Sequence, residues 1–120
     1  MIGSAIGAFA STRVTTPKYQ ASTIPGAVFV QSRAGSASSG LVTVNTVNGV
    51  GPYEYEWSIT GSEISISSTD TESVTFTASG GATSFIEIAK VDVKDTGNND
   101  EIATARVNVT FLFENSGVDI

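Results

Sequence analysis

The sequence contains no cysteine and no histidine. Without cysteine, disulfide bonds, thiolate metal sites and a cysteine nucleophile are excluded. Without histidine, the chain lacks the side chain that most often transfers protons near neutral pH and most often binds transition metals. We therefore expect a protein that is not an enzyme and that needs no cofactor.

Long apolar runs are also missing. No stretch approaches the ~20 consecutive apolar residues that a membrane-spanning helix requires. The partly apolar start, residues 1–13, has no basic segment ahead of it and is interrupted by Gly3 and Gly7, which is not the pattern of a secretory signal peptide. We expect synthesis in the cytoplasm, without export and without a membrane partner.

Acidic residues are absent from the first 53 positions. The charged residues among residues 1–53 are Arg13, Lys18 and Arg33, all basic. All 12 acidic residues lie within residues 54–120. The formal net charge of −6 argues against nucleic acid as a partner, because phosphates are bound by clustered Lys and Arg. The asymmetry is either an accident of composition or the mark of an arm that docks on an acidic neighbour, including a second copy of the chain.

Small residues dominate residues 1–40, and we predict an extended N-terminal arm or linker over this range. Residues 31–40 have the composition of a loop, and within the arm only residues 27–30 have the pattern of a strand. An extended arm can add a strand to the sheet edge of a neighbour. The predicted partner-binding residues are Val28, Phe29 and Val30 for strand pairing, and Arg13, Lys18 and Arg33 for salt-sensitive contacts.

From Leu41 onward, apolar and polar residues alternate with period two, which is typical of half-buried strands. Tyr53, Tyr55 and Trp57 alternate with Glu54 and Glu56, so we expect the aromatics in a core and the carboxylates in solvent. The last strand repeats the pattern through Ala105, Val107, Val109, Phe111 and Phe113. Six or seven strands with frequent turns predict an all-β, antiparallel sandwich over residues 41–120, centred on Trp57.

The strand at residues 85–93 departs from this alternation. Ala89, Val91 and Val93 share one face, but Ile86 and Ile88 fall on the opposite, polar face. This pattern predicts either a β-bulge near the start of the strand or burial of both of its faces there.

Several of these segments together resemble the PKD-type immunoglobulin-like domain. They are Val42-Thr-Val44, Gly51-Pro52-Tyr53-Glu-Tyr55-Glu-Trp57, Val74-Thr-Phe76, Ala89-Lys-Val-Asp-Val-Lys-Asp95-Thr-Gly97 and Ala105-Arg-Val-Asn-Val109. The similarity covers residues 41–113. The chain departs from the family's Trp-Asp-Phe-Gly signature, since Trp57 is followed by Ser-Ile-Thr-Gly61.

The resemblance implies a non-catalytic spacer or adhesion module, of the kind found in secreted enzymes, surface proteins and tailed-phage virion proteins. We expect a structural protein of a phage virion, either a capsid decoration (cement) protein or a tail or baseplate accessory, that binds other virion proteins and copies of itself. The alternative is a carbohydrate- or cell-surface-binding module, with Tyr19, Phe29 or Tyr53 as its exposed aromatic residue.

Two groups of polar residues have spacings that a metal site or a catalytic site could use. Asp92, Asp95, Asn98 and Asp100 gather oxygen atoms around one turn, as a calcium ion requires, but the same residue types also form ordinary turns. Glu54 and Glu56 lie ~7 Å apart on one strand, a separation that a glycosidase can use. For both groups we favour a solvated, non-catalytic surface and expect no bound metal.

Overall fold

The computed structural model describes residues 18–114, which form ten β-strands and no helix. The strands are β1 (Gln20–Ile24), β2 (Ala27–Ser32), β3 (Ser36–Ser38), β4 (Val42–Val47), β5 (Tyr53–Ile59), β6 (Ile64–Ile66), β7 (Ser73–Val74), β8 (Phe76–Ser79), β9 (Thr83–Asp95) and β10 (Glu101–Phe113). The expected all-β class is therefore confirmed for these residues. Within them, no helix is a candidate for crossing a membrane.

A four-stranded sheet with the order β2-β10-β9-β5 forms one layer. Its centre is the long β9–β10 hairpin, in which Thr83 pairs with Phe113 and Asp95 with Glu101. The turn of this hairpin is the predicted polar turn, and Asn99 and Asp100 take positive φ values in it. Strand β5 pairs antiparallel with β9, whereas β2 runs parallel to β10.

The other six strands form two three-stranded sheets, β1-β4-β7 and β3-β8-β6, in which every pair is antiparallel. Only Thr75 separates β7 from β8. Between β3 and β4, the Ser39 N–H donates a hydrogen bond to the Phe76 carbonyl of β8 at 2.8 Å. The two small sheets therefore join end to end, with β3 continuing into β4 and β7 into β8, and form a second layer.

A single hydrophobic cluster takes buried side chains from both layers. The Trp57 ring of β5 meets the Phe76 ring of β8 edge to face, with centroids 6.2 Å apart. The alternation predicted for β10 is confirmed, since Ala105, Val107, Val109, Phe111 and Phe113 are all buried. The predicted inward orientation of Trp57 is confirmed as well, because this side chain is buried in the cluster.

The predicted arm requires a correction. Strands β1, β2 and β3 lie within residues 1–40, and they pair with β4, β10 and β8 of the same chain. The interpretation of residues 20–38 as an arm or linker separate from the sheets of residues 41–114 is therefore wrong. Small residues bury little area on their own, but sheet pairing supplies their backbone hydrogen bonds and the core accepts Tyr19 and Val28. The rest of the predicted arm, residues 1–17 with Arg13, lies outside the described residues.

Strand β9 contains no bulge. Its register with β10 runs one residue to one residue along its full length. Ile86 and Ile88 point away from the core and are exposed, so the expectation of a bulge or of burial on both faces is wrong.

Candidate docking surface

The outer face of the four-stranded sheet carries exposed apolar side chains. Phe29 of β2 and Ile86 of β9 both pair with Thr110 of β10, one on each side. Phe29 is 63% exposed and Ile86 is 73% exposed. Because adjacent strands lie ~4.8 Å apart, the two backbones are separated by about 10 Å.

Two neighbouring residues enlarge this area. Ile88 lies two residues along β9 from Ile86 and is exposed, and Leu112 lies two residues along β10 from Thr110 and is half-buried. We call Phe29, Ile86, Ile88 and Leu112 the apolar patch. Exposed apolar side chains grouped on one face of a sheet mark interaction sites more often than isolated ones do.

The inward residues of β9 decide which side chains face solvent. Ala89, Val91 and Val93 are fully buried, so period-two alternation forces Ile86 and Ile88 outward and Glu87 inward. The Glu87 carboxylate is buried, and its Oε2 accepts a hydrogen bond from the Glu63 N–H at 3.0 Å. The sequence signal for this surface was the position of the two isoleucines on the polar face.

Charged residues continue the same outer face beyond the patch. The row next to Ile88 is basic, with Lys90 paired to Arg106. The following row holds Asp92 and Glu56, and Lys90 Nζ approaches Asp92 Oδ2 at 3.9 Å. The patch therefore has a basic border on this side, although the formal net charge of the chain is −6.

The predicted partner-binding residues of β2 divide between the two faces. Val28 is buried and Val30 is half-buried against the core, whereas Phe29 is exposed. The side chains of the two valines are therefore occupied within the fold, and their strand pairs in parallel with β10 of the same chain.

The predicted basic contacts lie apart from one another. Arg33 follows the end of β2, is exposed, and forms an ion pair with the half-buried Glu114, Nε to Oε1 3.4 Å. Lys18 is exposed at the start of the described range, and Arg13 lies outside that range. Of these three basic residues, only Arg33 is placed next to β2, the strand that carries Phe29 of the patch.

The acidic turn does not form a cation cage. Asp92 and Asp95 are three residues apart on β9 and therefore point to opposite faces. Asp92 accepts a hydrogen bond from Thr104 Oγ1 at 2.7 Å, and Asn98 Nδ2 donates to Glu101 Oε1 at 3.0 Å. Residues 18–114 contain no group of three or more acidic residues arranged to hold a metal ion.

Asp95 instead anchors the connection between β4 and β5. The side chain is completely buried, and its two carboxylate oxygens accept hydrogen bonds from the Val50 and Gly51 N–H groups, each at 2.8 Å. Gly51 has a φ of +80°, which favours glycine. The role of Asp95 is therefore to hold a loop.

Two of the three aromatics considered for sugar stacking are not freely exposed. Tyr19 is buried, donates its hydroxyl to the Val93 carbonyl at 2.9 Å, and stacks on Tyr53 with ring centroids 6.1 Å apart. Tyr53 is half-buried in the same stack. Among the three, only Phe29 is exposed.

Burial raises the pKa of Tyr19 to about 12, and the charge of Asp95 adds to this effect. Because the ordinary pKa is 10.0, the folded chain keeps the Tyr19 proton at pH values where the unfolded chain loses it. Its stabilising contribution is complete below pH ~10 and falls as the pH rises toward ~12.

We expect Tyr19→Phe to flatten this part of the curve of unfolding free energy against pH, measured by urea denaturation. A slope unchanged in Tyr19→Phe contradicts the assignment. The pKa of Tyr55 is also raised by burial, so Tyr55 contributes to the slope that remains.

No protein-family model matches the chain, and no curated protein is significantly similar to it in sequence.

Proposed function

We propose that the chain is a non-catalytic structural protein of a phage virion that docks on a neighbouring subunit through the apolar patch. The observation that carries this proposal is the exposure of Phe29 and Ile86 on one face of a four-stranded sheet. An exposed row of this kind costs free energy in an isolated domain and gains it when a partner covers the row. The assignment to a virion rests on the sequence resemblance described above.

The strand order supports an immunoglobulin-like sandwich of the PKD type. One layer contains β1, β3–β4, β7–β8 and β6, and the other contains β2, β10, β9 and β5. Apart from β2, this distribution corresponds to the four-plus-three arrangement of constant-type immunoglobulin domains. The first two strands divide between the layers, because β1 pairs with β4 and β2 joins β10. Sandwiches of this type commonly serve as spacers and adhesion modules, in agreement with the proposed role.

The surface specifies the chemistry of its partner. The apolar patch requires an apolar counterpart, and the basic border of Lys90 and Arg106 requires acidic groups around it. Lys90 already forms an ion pair with Asp92 on the same sheet, so Arg106 is the cation more available to an acidic partner. We therefore expect a larger virion subunit with an apolar surface and an acidic rim, and binding that weakens as salt is raised.

Re-binding to particles that lack the chain tests the proposal. Purified wild-type protein is expected to co-sediment with such particles, and Ile86→Ser is expected to bind at least tenfold more weakly. A loss of ~1.5–3 kcal/mol on removing a large buried side chain from an interface justifies this magnitude. Val50→Ser is the matched control, because Val50 is 68% exposed but lies in the β4–β5 connection.

Three results contradict the proposal. The first is wild-type protein that stays in the supernatant, and the second is Ile86→Ser that binds as well as Val50→Ser. The third favours the carbohydrate-binding alternative: retention on immobilised polysaccharide, abolished by Phe29→Ala, together with no binding to particles.

A further inference from the structure

Strand β2 has one paired edge and one free edge. Its residues pair with Asn108–Phe113 of β10, and within residues 18–114 no other strand pairs with it. The opposite edge of the same sheet is different, because the Trp57 N–H of β5 donates to the Thr69 carbonyl at 2.8 Å. The free edge of β2 is therefore the less protected of the two.

The backbone direction shows which residues face this free edge. The Ser32 carbonyl accepts a hydrogen bond from the Glu114 N–H at 2.8 Å, and so it points toward the β10 side. Successive residues of a strand direct their N–H and C=O groups to opposite sides. Val28 and Val30 therefore face β10, whereas Ala27, Phe29 and Gln31 offer their backbone groups to the free edge.

This edge lacks the usual protection against strand addition. Native edge strands are commonly blocked by charged side chains, proline or a bulge, but β2 reads Ala-Val-Phe-Val-Gln-Ser. No charged residue occurs from Tyr19 to Ser32, so two copies can approach here without the repulsion expected elsewhere on an acidic chain. Beside the edge lies a groove of about 230 Å³, lined by β2 and residues 39–42, with Leu41 exposed next to it.

We propose that β2 pairs antiparallel with β2 of a second copy, so that two four-stranded sheets become one continuous sheet. A two-fold axis at Phe29 places Phe29 opposite its counterpart, and Ala27 opposite Gln31 of the other copy. This register uses all three residues that face the edge and forms ~6 backbone hydrogen bonds. The two Phe29 rings become cross-strand neighbours, and the apolar patches of the two copies become contiguous.

The inference goes beyond the proposed function, because pairing of two copies does not require a virion subunit. The neighbour expected at Val28–Val30 is then a second copy of the chain. The strand is the one predicted, but the pairing groups belong to Ala27, Phe29 and Gln31.

Engineered cysteines test the register in a chain that has no cysteine of its own. A mixture of Ala27→Cys and Gln31→Cys is expected to form a disulfide-linked heterodimer, since paired residues have Cα atoms ~5.5 Å apart and a disulfide tolerates that distance. Each variant alone is expected to cross-link slowly, because Ala27 and its counterpart are separated by ~13 Å along the strand. A mixture of Ala27→Cys and Val50→Cys is the control, and we expect at least a tenfold slower initial rate for it.

Two results overturn the inference. One is a 27/31 mixture that cross-links no faster than the control or than either variant alone. The other is a wild-type chain that remains monomeric at millimolar concentration in sedimentation equilibrium. Ile86→Ser separates the two proposals, because Ile86 lies two strands from the edge: the substitution should weaken particle binding and leave the 27/31 cross-link intact.

Discussion

Replacement of Asp95 by alanine is expected to lower the free energy of unfolding by about 3–5 kcal/mol. The side chain is completely buried and accepts two backbone hydrogen bonds, from Val50 and Gly51. Hydrogen bonds to a charged acceptor contribute ~1.5–3 kcal/mol each, and donors left unpaired in the interior add a desolvation penalty. Urea denaturation followed by circular dichroism measures the change.

Two further variants sharpen this prediction. Asp95→Asn keeps the shape but presents an amide N–H₂ to one of the two donors, so an intermediate loss is expected. Asp92→Ala is the matched control on the same strand, because Asp92 faces solvent and its contacts with Lys90 and Thr104 lie at the surface. Surface contacts of this kind contribute ~0–1 kcal/mol. An Asp95→Ala loss no larger than that of Asp92→Ala contradicts the role given to Asp95.

Replacement of Trp57 by alanine is expected to cost about 3–5 kcal/mol of unfolding free energy. The indole is almost fully buried, packs on Phe76 of the opposite layer, and donates from Nε1 to the Thr71 carbonyl at 2.8 Å. Its removal leaves a cavity between the layers and an unpaired carbonyl. Trp57 is the only tryptophan, so the variant has no tryptophan fluorescence. Its unfolding is therefore followed by circular dichroism.

Trp57→Phe separates packing from hydrogen bonding in this prediction. Phenylalanine fills most of the ring volume but cannot donate a hydrogen bond to Thr71. We therefore expect Trp57→Phe to lose less than half of the unfolding free energy that Trp57→Ala loses. An alanine variant as stable as the wild type contradicts a core that joins the two layers through this ring.

Large alternating side chains made the centre of the fold predictable. Tyr53, Tyr55 and Trp57 follow period two with carboxylates between them, and the last strand does so over Ala105 to Phe113. Only burial of the apolar face satisfies such a pattern, and the structure places these faces in one cluster. The turn at Asp95–Asp100 was likewise visible, because its Asp and Asn residues tolerate positive φ.

Strands β1 and β3 were not predictable because their sequences carry almost no pattern. Gln-Ala-Ser-Thr-Ile and Ser-Ala-Ser contain few large apolar residues, and their conformation depends on partners distant in the chain. β1 pairs with β4 and β3 with β8. A boundary drawn at residue 40 from composition therefore divided strands that belong to the same sheets.

The docking surface could be predicted only in part from the sequence. Ile86 and Ile88 were recognised as out of phase, but exposure could not be separated from a bulge without the register against β10. Phe29 was selected as a contact, yet its neighbours on β9 and β10 come from segments more than 50 positions away. Tertiary pairing brings these residues together, and the sequence contains no local signal for that pairing.

Docking is proposed to cover the apolar patch, and this is the central claim about the chain. Hydroxyl-radical footprinting of the free chain and of the particle-bound chain measures this directly, residue by residue. We predict that Phe29, Ile86, Ile88 and Leu112 lose reactivity on binding while Val50 keeps its own. Unchanged reactivity of the patch in the bound chain, or protection of Val50 instead, would contradict the account.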